Sequence, residues 1–152
     1  MSFARSAPTP PGSVRPIGAK SIHHVGVAVD DLDEAIGRYE RLFGAVLEHR
    51  ERLDEQGVEA ASLRVGSGRV ELLAAVAADT PVGKFLESRG PGLHHVAFEV
   101  GDVPAELARL AARGERLIDE QPRRGLNGLR VAFVHPEATG GVLAELVDDG
   151  PV

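Results

Sequence analysis

The stretch SIHHVGVAV at Ser21–Val29 returns, little changed, as GLHHVAFEV at Gly92–Val100. An internal repeat constrains a fold more than composition does, because both copies must adopt the same unit and bury its apolar face together. His24 and His95 stand 71 residues apart, and the residues after each of them also match. A strand-like run (Val25–Val29, Val96–Val100) meets an acidic turn at Asp30-Asp31 or Gly101-Asp102. Helical spacing then begins, with Leu32, Ala35, Ile36, Tyr39, Leu42 and Phe43 in one copy and Val103, Leu107, Leu110 and Ala111 in the other. Pro104 suits a first helical turn, and Gly44 and Gly114 fall where helices stop.

Three strand candidates come after each helix: AVLEHRE, EAASLRVG and RVELLAA, then RLIDE, LRVAFVHP and GVLAELV. The spacing therefore predicts β-α-β-β-β twice, an α+β chain with modules at about 21–78 and 92–148 inside a single domain, 21–150. TPVGKFLESRG reads as a short helix joining them, ended by Gly90. Residues 1–20 hold four prolines among Ser, Gly and Ala, and are expected to form a disordered or loosely tethered arm that activity does not need.

Composition narrows the function. A net charge of −6 argues against a nucleic-acid or anionic-membrane surface. No apolar run approaches the ~20 residues that span a bilayer. The absence of cysteine excludes disulfides, thiolate zinc sites and a cysteine nucleophile, and suits a cytoplasmic protein. The sequence carries no Walker loop, dinucleotide fingerprint or serine triad.

Strand alternation separates the two histidines of each pair. His23, Val25, Val27 and Val29 share one face, expected to pack beneath a helix; His24, Gly26 and Ala28 share the other, which is small enough to leave room above it. Likewise His94 falls with Val96, Phe98 and Val100, and His95 with Ala97 and Glu99. His24 and His95 thus lie on the open face, while His23 and His94 are assigned to packing.

The last strand of each copy adds Glu71 and Glu145, 74 residues apart and flanked by apolar neighbours. A carboxylate in such a strand is costly unless paired or metal-bound. His24, Glu71, His95 and Glu145 form a donor set suited to a divalent first-row ion with open positions. Any one of them alone reads more simply as a structural histidine or a solvent-facing glutamate; their duplicated placement is what favours the metal. His49 is expected to be solvated at a strand edge. His135 reads as a turn or ligand residue, and RRGLNG at Arg123–Gly128 as an exposed hairpin loop or an anion-binding lid.

The segments HHVGVAVDDLDEAI, EQGVEAASLRVG, VELL, TPVGKFLESRGPGLHHVAFEV, LIDEQPRRG and VAFVHPEATGGVLAEL, in this order and spacing, resemble the methylmalonyl-CoA epimerase family of the vicinal-oxygen-chelate superfamily, to which glyoxalase I is related. The similarity runs from about Ser21 to Asp148. It implies two β-α-β-β-β modules forming a curved mixed sheet around a metal, with ligands at His24, Glu71, His95 and Glu145. Glutamine replaces Glu71 in some members. The implied ion is Co²⁺, with Mn²⁺, Ni²⁺ or Zn²⁺ as alternatives; the implied partner is an acyl-CoA substrate, and a homodimer is expected.

The resemblance also implies the reaction: epimerisation of (2R)- and (2S)-methylmalonyl-CoA by removal of the C2 proton through a metal-stabilised enolate, with Glu145 and then Glu71 as catalytic bases. Some members place a further acid where this chain has Ala60, and Glu59 beside it should face the other way. Two alternatives stay open: a glyoxalase I-type lactoylglutathione lyase, and a non-catalytic protein of the superfamily that sequesters a small molecule.

Overall fold

Strand β1 (Ser21–Ala28) lies at the middle of an eight-stranded sheet, in a computed structural model that describes residues 18–152. The first module continues with α1 (Leu32–Phe43), β2 (Val46–Leu53), β3 (Val58–Val65) and β4 (Gly68–Ala75). Helix α2 (Pro81–Arg89) leads to β5 (Gly92–Glu99), α3 (Val103–Ala112), β6 (Arg123–Arg124), β7 (Arg130–Val134), α4 (Pro136–Thr139) and β8 (Ala144–Asp148). The strand order is β2-β3-β4-β1-β5-β8-β7-β6, so each module contributes one half. β1 and β5 meet antiparallel at the centre; β1 pairs parallel with β4, and β5 parallel with β8. The sheet curls into a half-barrel.

The acidic turns are helix caps. Asp31 accepts the Glu34 N–H at 2.9 Å, and Asp102 accepts the Ala105 N–H at 3.0 Å, each satisfying a donor left free at a helix start. Helices α1 and α3 cover the outer face of their own half. Leu32, Ala35 and Ile36 pack with Val29, Leu63 and Leu72; Val103, Leu107 and Leu110 pack with Ala132, Val134 and Leu146. Val27 joins the first cluster, as alternation predicts. The inner face of the first half carries Ala28, Val58, Ala60 and Leu73, capped by Val82 of α2 and by Leu126. Among the described residues, no helix is long and apolar enough to cross a membrane.

Four sequence expectations change. RLIDE does not form a full strand: only Leu117 bridges to Val134, and the paired strand is the two-residue β6. The cause is Asp119, whose Oδ2 takes the Phe133 N–H at 2.8 Å that a neighbouring carbonyl would otherwise accept. RRGLNG is not an exposed loop, since Leu126 is buried in the core. Glu51 holds the segment down, accepting the Arg124 guanidinium at 2.7 Å and the Asn127 N–H at 3.0 Å. His49 is only half exposed and bonds Glu51 at 3.1 Å. His23 and His94 do not follow strict alternation, as the geometry of the site makes plain. The proposed arm falls almost wholly on residues 1–17, outside the described residues; Lys20 already donates its N–H to the Glu99 carbonyl at 2.8 Å.

Candidate metal centre

The register of the four central strands builds the site. Gly26 lies opposite Glu71 on β4 and His95 on β5; Ala97 lies opposite His24 on β1 and Glu145 on β8. Residues opposite one another on paired strands share a face. Two rows therefore cross the seam, Glu71·Gly26·His95 and His24·Ala97·Glu145, each with a small residue between two donors. The rows place all four candidates on the inner face.

The small residues make room. A Cβ built on Gly26 would stand 2.1 Å from Cε1 of His95, so the imidazole occupies the place of the missing side chain. With that space available, the Nε2 atoms of His24 and His95 come within 3.0 Å of each other. Glu145 oxygens stand 3.4 Å from His24 Nε2 and 3.9 Å from His95 Nε2, and Glu71 Oε2 stands 3.3 Å from His24 Nε2. Ligand atoms of His24, His95 and Glu145 all lie within 4.8 Å of one another. Glu71 borders this group through His24 and does not belong to the close set. His24, His95 and Glu145 are buried.

Burial dominates the electrostatics. It pushes the His24 imidazole down to about 3, helped by the neighbouring His23 and Arg69 side chains. It pushes His95 down to about 2, with His24 and His94 contributing. It raises the Glu71 carboxyl to about 7. Glu145 is raised well above the usual carboxylate range by burial and then by Glu71, with Arg123 opposing. Four groups that resist charging in the same buried space, two of them carboxyls, are what a bound divalent charge would relieve. Nε2 atoms about 3 Å apart also match adjacent ligands on an ion at about 2.1 Å. The donor set fits a divalent ion.

A cavity of about 160 Å³ opens beside Glu71, His95 and Glu145 and is lined further by Gln56, His94, Arg123 and Phe133. A second, of about 360 Å³, opens on His24, Glu71, His49 and Arg69. Glu71 faces both. His135 contributes to neither; its Nδ1 caps α4 by accepting the Glu137 N–H at 3.0 Å. Ala60 is fully buried on the inner face, and Glu59 points away to bond Arg50 at 2.9 Å. The acid absent at Ala60 is therefore not replaced from the next position.

The sequence reading missed Asp119, and placed Arg123 only within a loop or anion-binding lid and not beside Glu71, His95 and Glu145. Asp119 is buried, holds Arg123 Nε at 3.1 Å, and so fixes a guanidinium at the cavity wall beneath the Phe133 ring. The available signal was the four-residue spacing of an acid and a base either side of Pro122.

The sequence and fold recur in known proteins. The sequence profile of the Glyoxalase/Bleomycin resistance protein/Dioxygenase superfamily matches residues 23–133. The mitochondrial methylmalonyl-CoA epimerase of Homo sapiens is 35% identical over 136 residues, covering 89% of this chain and 76% of its own length. The crystal structure of methylmalonyl-CoA epimerase from Mycobacterium tuberculosis superposes with a TM-score of 0.85 at 39% identity, covering 92% of this chain and 95% of that one. A Ser-to-Thr variant of the Streptomyces coelicolor methylmalonyl-CoA epimerase, in complex with 2-nitronate-propionyl-CoA, gives a TM-score of 0.82 at 38% identity, covering 86% of this chain and 94% of that one. Fold and sequence agree with these relatives over nearly the whole described chain: it belongs to the methylmalonyl-CoA epimerase family of this superfamily, and is an isomerase.

Proposed function

We propose that this protein interconverts (2R)- and (2S)-methylmalonyl-CoA by moving the C2 proton between the two faces of a planar enolate. The observation that carries this reading is the convergence of His24, His95 and Glu145, with Glu71 at its border, over the seam of the two modules. A divalent ion held by His24, Glu71, His95 and Glu145, Co²⁺ by family resemblance, would supply positive charge beside the thioester oxygen as negative charge develops there.

The protein's own groups handle the proton. Glu71 and Glu145 sit on β4 and β8, the strands flanking β1 and β5, and so approach the seam from opposite sides. An epimerase needs a proton acceptor near each face of the enolate, and a duplicated carboxylate provides two. Glu145 is the primary base, and Glu71 completes the transfer from the other side. The apolar wall of Val58, Leu73, Val82 and Leu143 keeps water from the carbanion.

The test is conversion of (2R)-methylmalonyl-CoA by protein stripped of metal and then reloaded. The expected result is formation of the (2S) epimer that depends on the added ion. Absence of the (2S) epimer from fully loaded protein would overturn the reading.

A further inference from the structure

The repeat duplicates two histidines per copy, and the metal reading uses only one of each pair. The register shows what the other does. Ile22 pairs with Phe98 and His24 with Ala97, leaving His23 unmatched; Gly26 pairs with His95 and Val27 with Leu93, leaving His94 unmatched. Each first histidine is thus the extra residue of a β-bulge, a device that re-aims side chains beside functional sites. Without the bulge the neighbouring rings would point to opposite faces. With it, His23 Nδ1 stands 2.8 Å from His24 Nδ1, and His94 Nδ1 stands 2.9 Å from His95 Nδ1. The rings meet edge to face in both copies, at interplanar angles of 79° and 87°.

A neutral imidazole has one N–H and one lone pair. On His24 and His95 the Nε2 atoms face each other and the carboxylates. A ring that gives its Nε2 lone pair to an ion must carry its proton on Nδ1, and in both copies the atom in reach is Nδ1 of the preceding histidine. We infer that His23 and His94 are positioning residues: each accepts the Nδ1–H of the next histidine, and so holds that ring with Nε2 turned to the ion. Metal-binding histidines generally need such a partner to set tautomer and orientation. Here the preceding residue supplies it through a bulge, twice. His94 is itself braced, its ring edge-on to Phe85 with centroids 4.9 Å apart. The inference rests on the ligand assignment of the proposed function.

The experiment uses full-length protein labelled with ¹⁵N-histidine and loaded with Zn²⁺, which is diamagnetic. The expected spectrum shows zinc-shifted Nε2 resonances for His24 and His95. It also shows nitrogen–nitrogen couplings across two N–H···N hydrogen bonds, one lost in His23→Phe and the other in His94→Phe. Zinc affinity, measured on the metal-free protein against a competing chelator, should fall about 10–100-fold in each Phe variant, the range typical of lost outer partners. His23→Asn and His94→Asn, which keep an acceptor near the place of Nδ1, should recover most of it. Circular dichroism checks that the variants fold. Zinc-shifted Nε2 resonances without the couplings, or folded Phe variants that bind zinc like wild type, would overturn the positioning role alone. Unshifted His24 and His95 resonances would overturn the ligand assignment and the positioning role with it.

Discussion

Gly26 owes its identity to His95, whose ring fills the space a side chain would need. Gly26→Ala cannot be absorbed by a flexible tip, because the obstructing atoms belong to a buried ring held on both sides. We expect the variant to fold with His95 displaced, to lose metal affinity by at least about 10-fold, as when a ligand's placement is disturbed, and to lose activity in parallel. Metal titration alongside a thermal melt checks this; wild-type affinity would mean that His95 does not ligate. The two glutamates should also separate. Glu145→Gln should lower C2 proton exchange by about 100-fold or more, since an amide cannot take a proton from carbon. Glu71→Gln should cost less than about 10-fold in C2 exchange, because Glu145 still removes the proton and a carboxamide oxygen still ligates, while epimerisation, which needs the second base, falls further. Equal losses would remove the distinction between primary and second base. At this scale the sequence showed which residues are duplicated, and therefore His24, Glu71, His95 and Glu145. It could not show the bulges, because a bulge is a property of pairing between strands distant in sequence.

Among the elements, the last strand anchors the second helix. Asp148 at the end of β8 accepts the N–H of Val103, the first residue of α3, at 2.6 Å and is gripped by Arg130 at 2.8 Å and 2.6 Å. Burial pushes its carboxyl up, but the Arg130 hydrogen bonds and the Val103 and Gly150 N–H groups outweigh it and hold it below its ordinary 3.8. A carboxyl with a depressed folded value stabilises the protein above its unfolded value and loses that contribution as pH falls through the folded one. Asp148→Asn should therefore destabilise the protein near neutrality, because the amide loses the charge that Arg130 and the Val103 N–H satisfy. The gap from wild type should close as pH falls below about 4. Urea denaturation of both proteins at several pH values measures it, and a gap independent of pH would contradict the ion pair. Helices α1 and α3 and strands β1 to β5 were legible because apolar period, aspartate caps and terminal glycines agree locally. RLIDE misled because it has strand composition, while the Asp119 side chain spends its hydrogen bonds on Phe133 and Arg123. Leu126 reads as loop by its Gly and Asn neighbours, and only the curl of the sheet brings it onto Ala60 and Val82.

For the molecule as a whole, the two modules meet through β1 and β5, so neither copy contains a complete site. The first brings His24, the second His95 and Glu145, and these donor atoms gather only when the halves join, with Glu71 at their border. The duplication seen in sequence thus underlies both the fold and the centre, and under the proposed function the departure at Ala60 leaves the proton transfer to Glu145 and Glu71. The measurement closest to this claim is isotope exchange. Metal-loaded protein is incubated with methylmalonyl-CoA in D₂O, and deuterium at C2 is monitored by mass spectrometry or proton NMR. Deuterium should enter C2 at the rate of epimerisation, only in the presence of a divalent ion, and not measurably in the His24→Ala or His95→Ala proteins. Fully loaded wild-type protein that leaves C2 unlabelled, yet isomerises a glutathione hemithioacetal or merely binds a small molecule, would contradict the account.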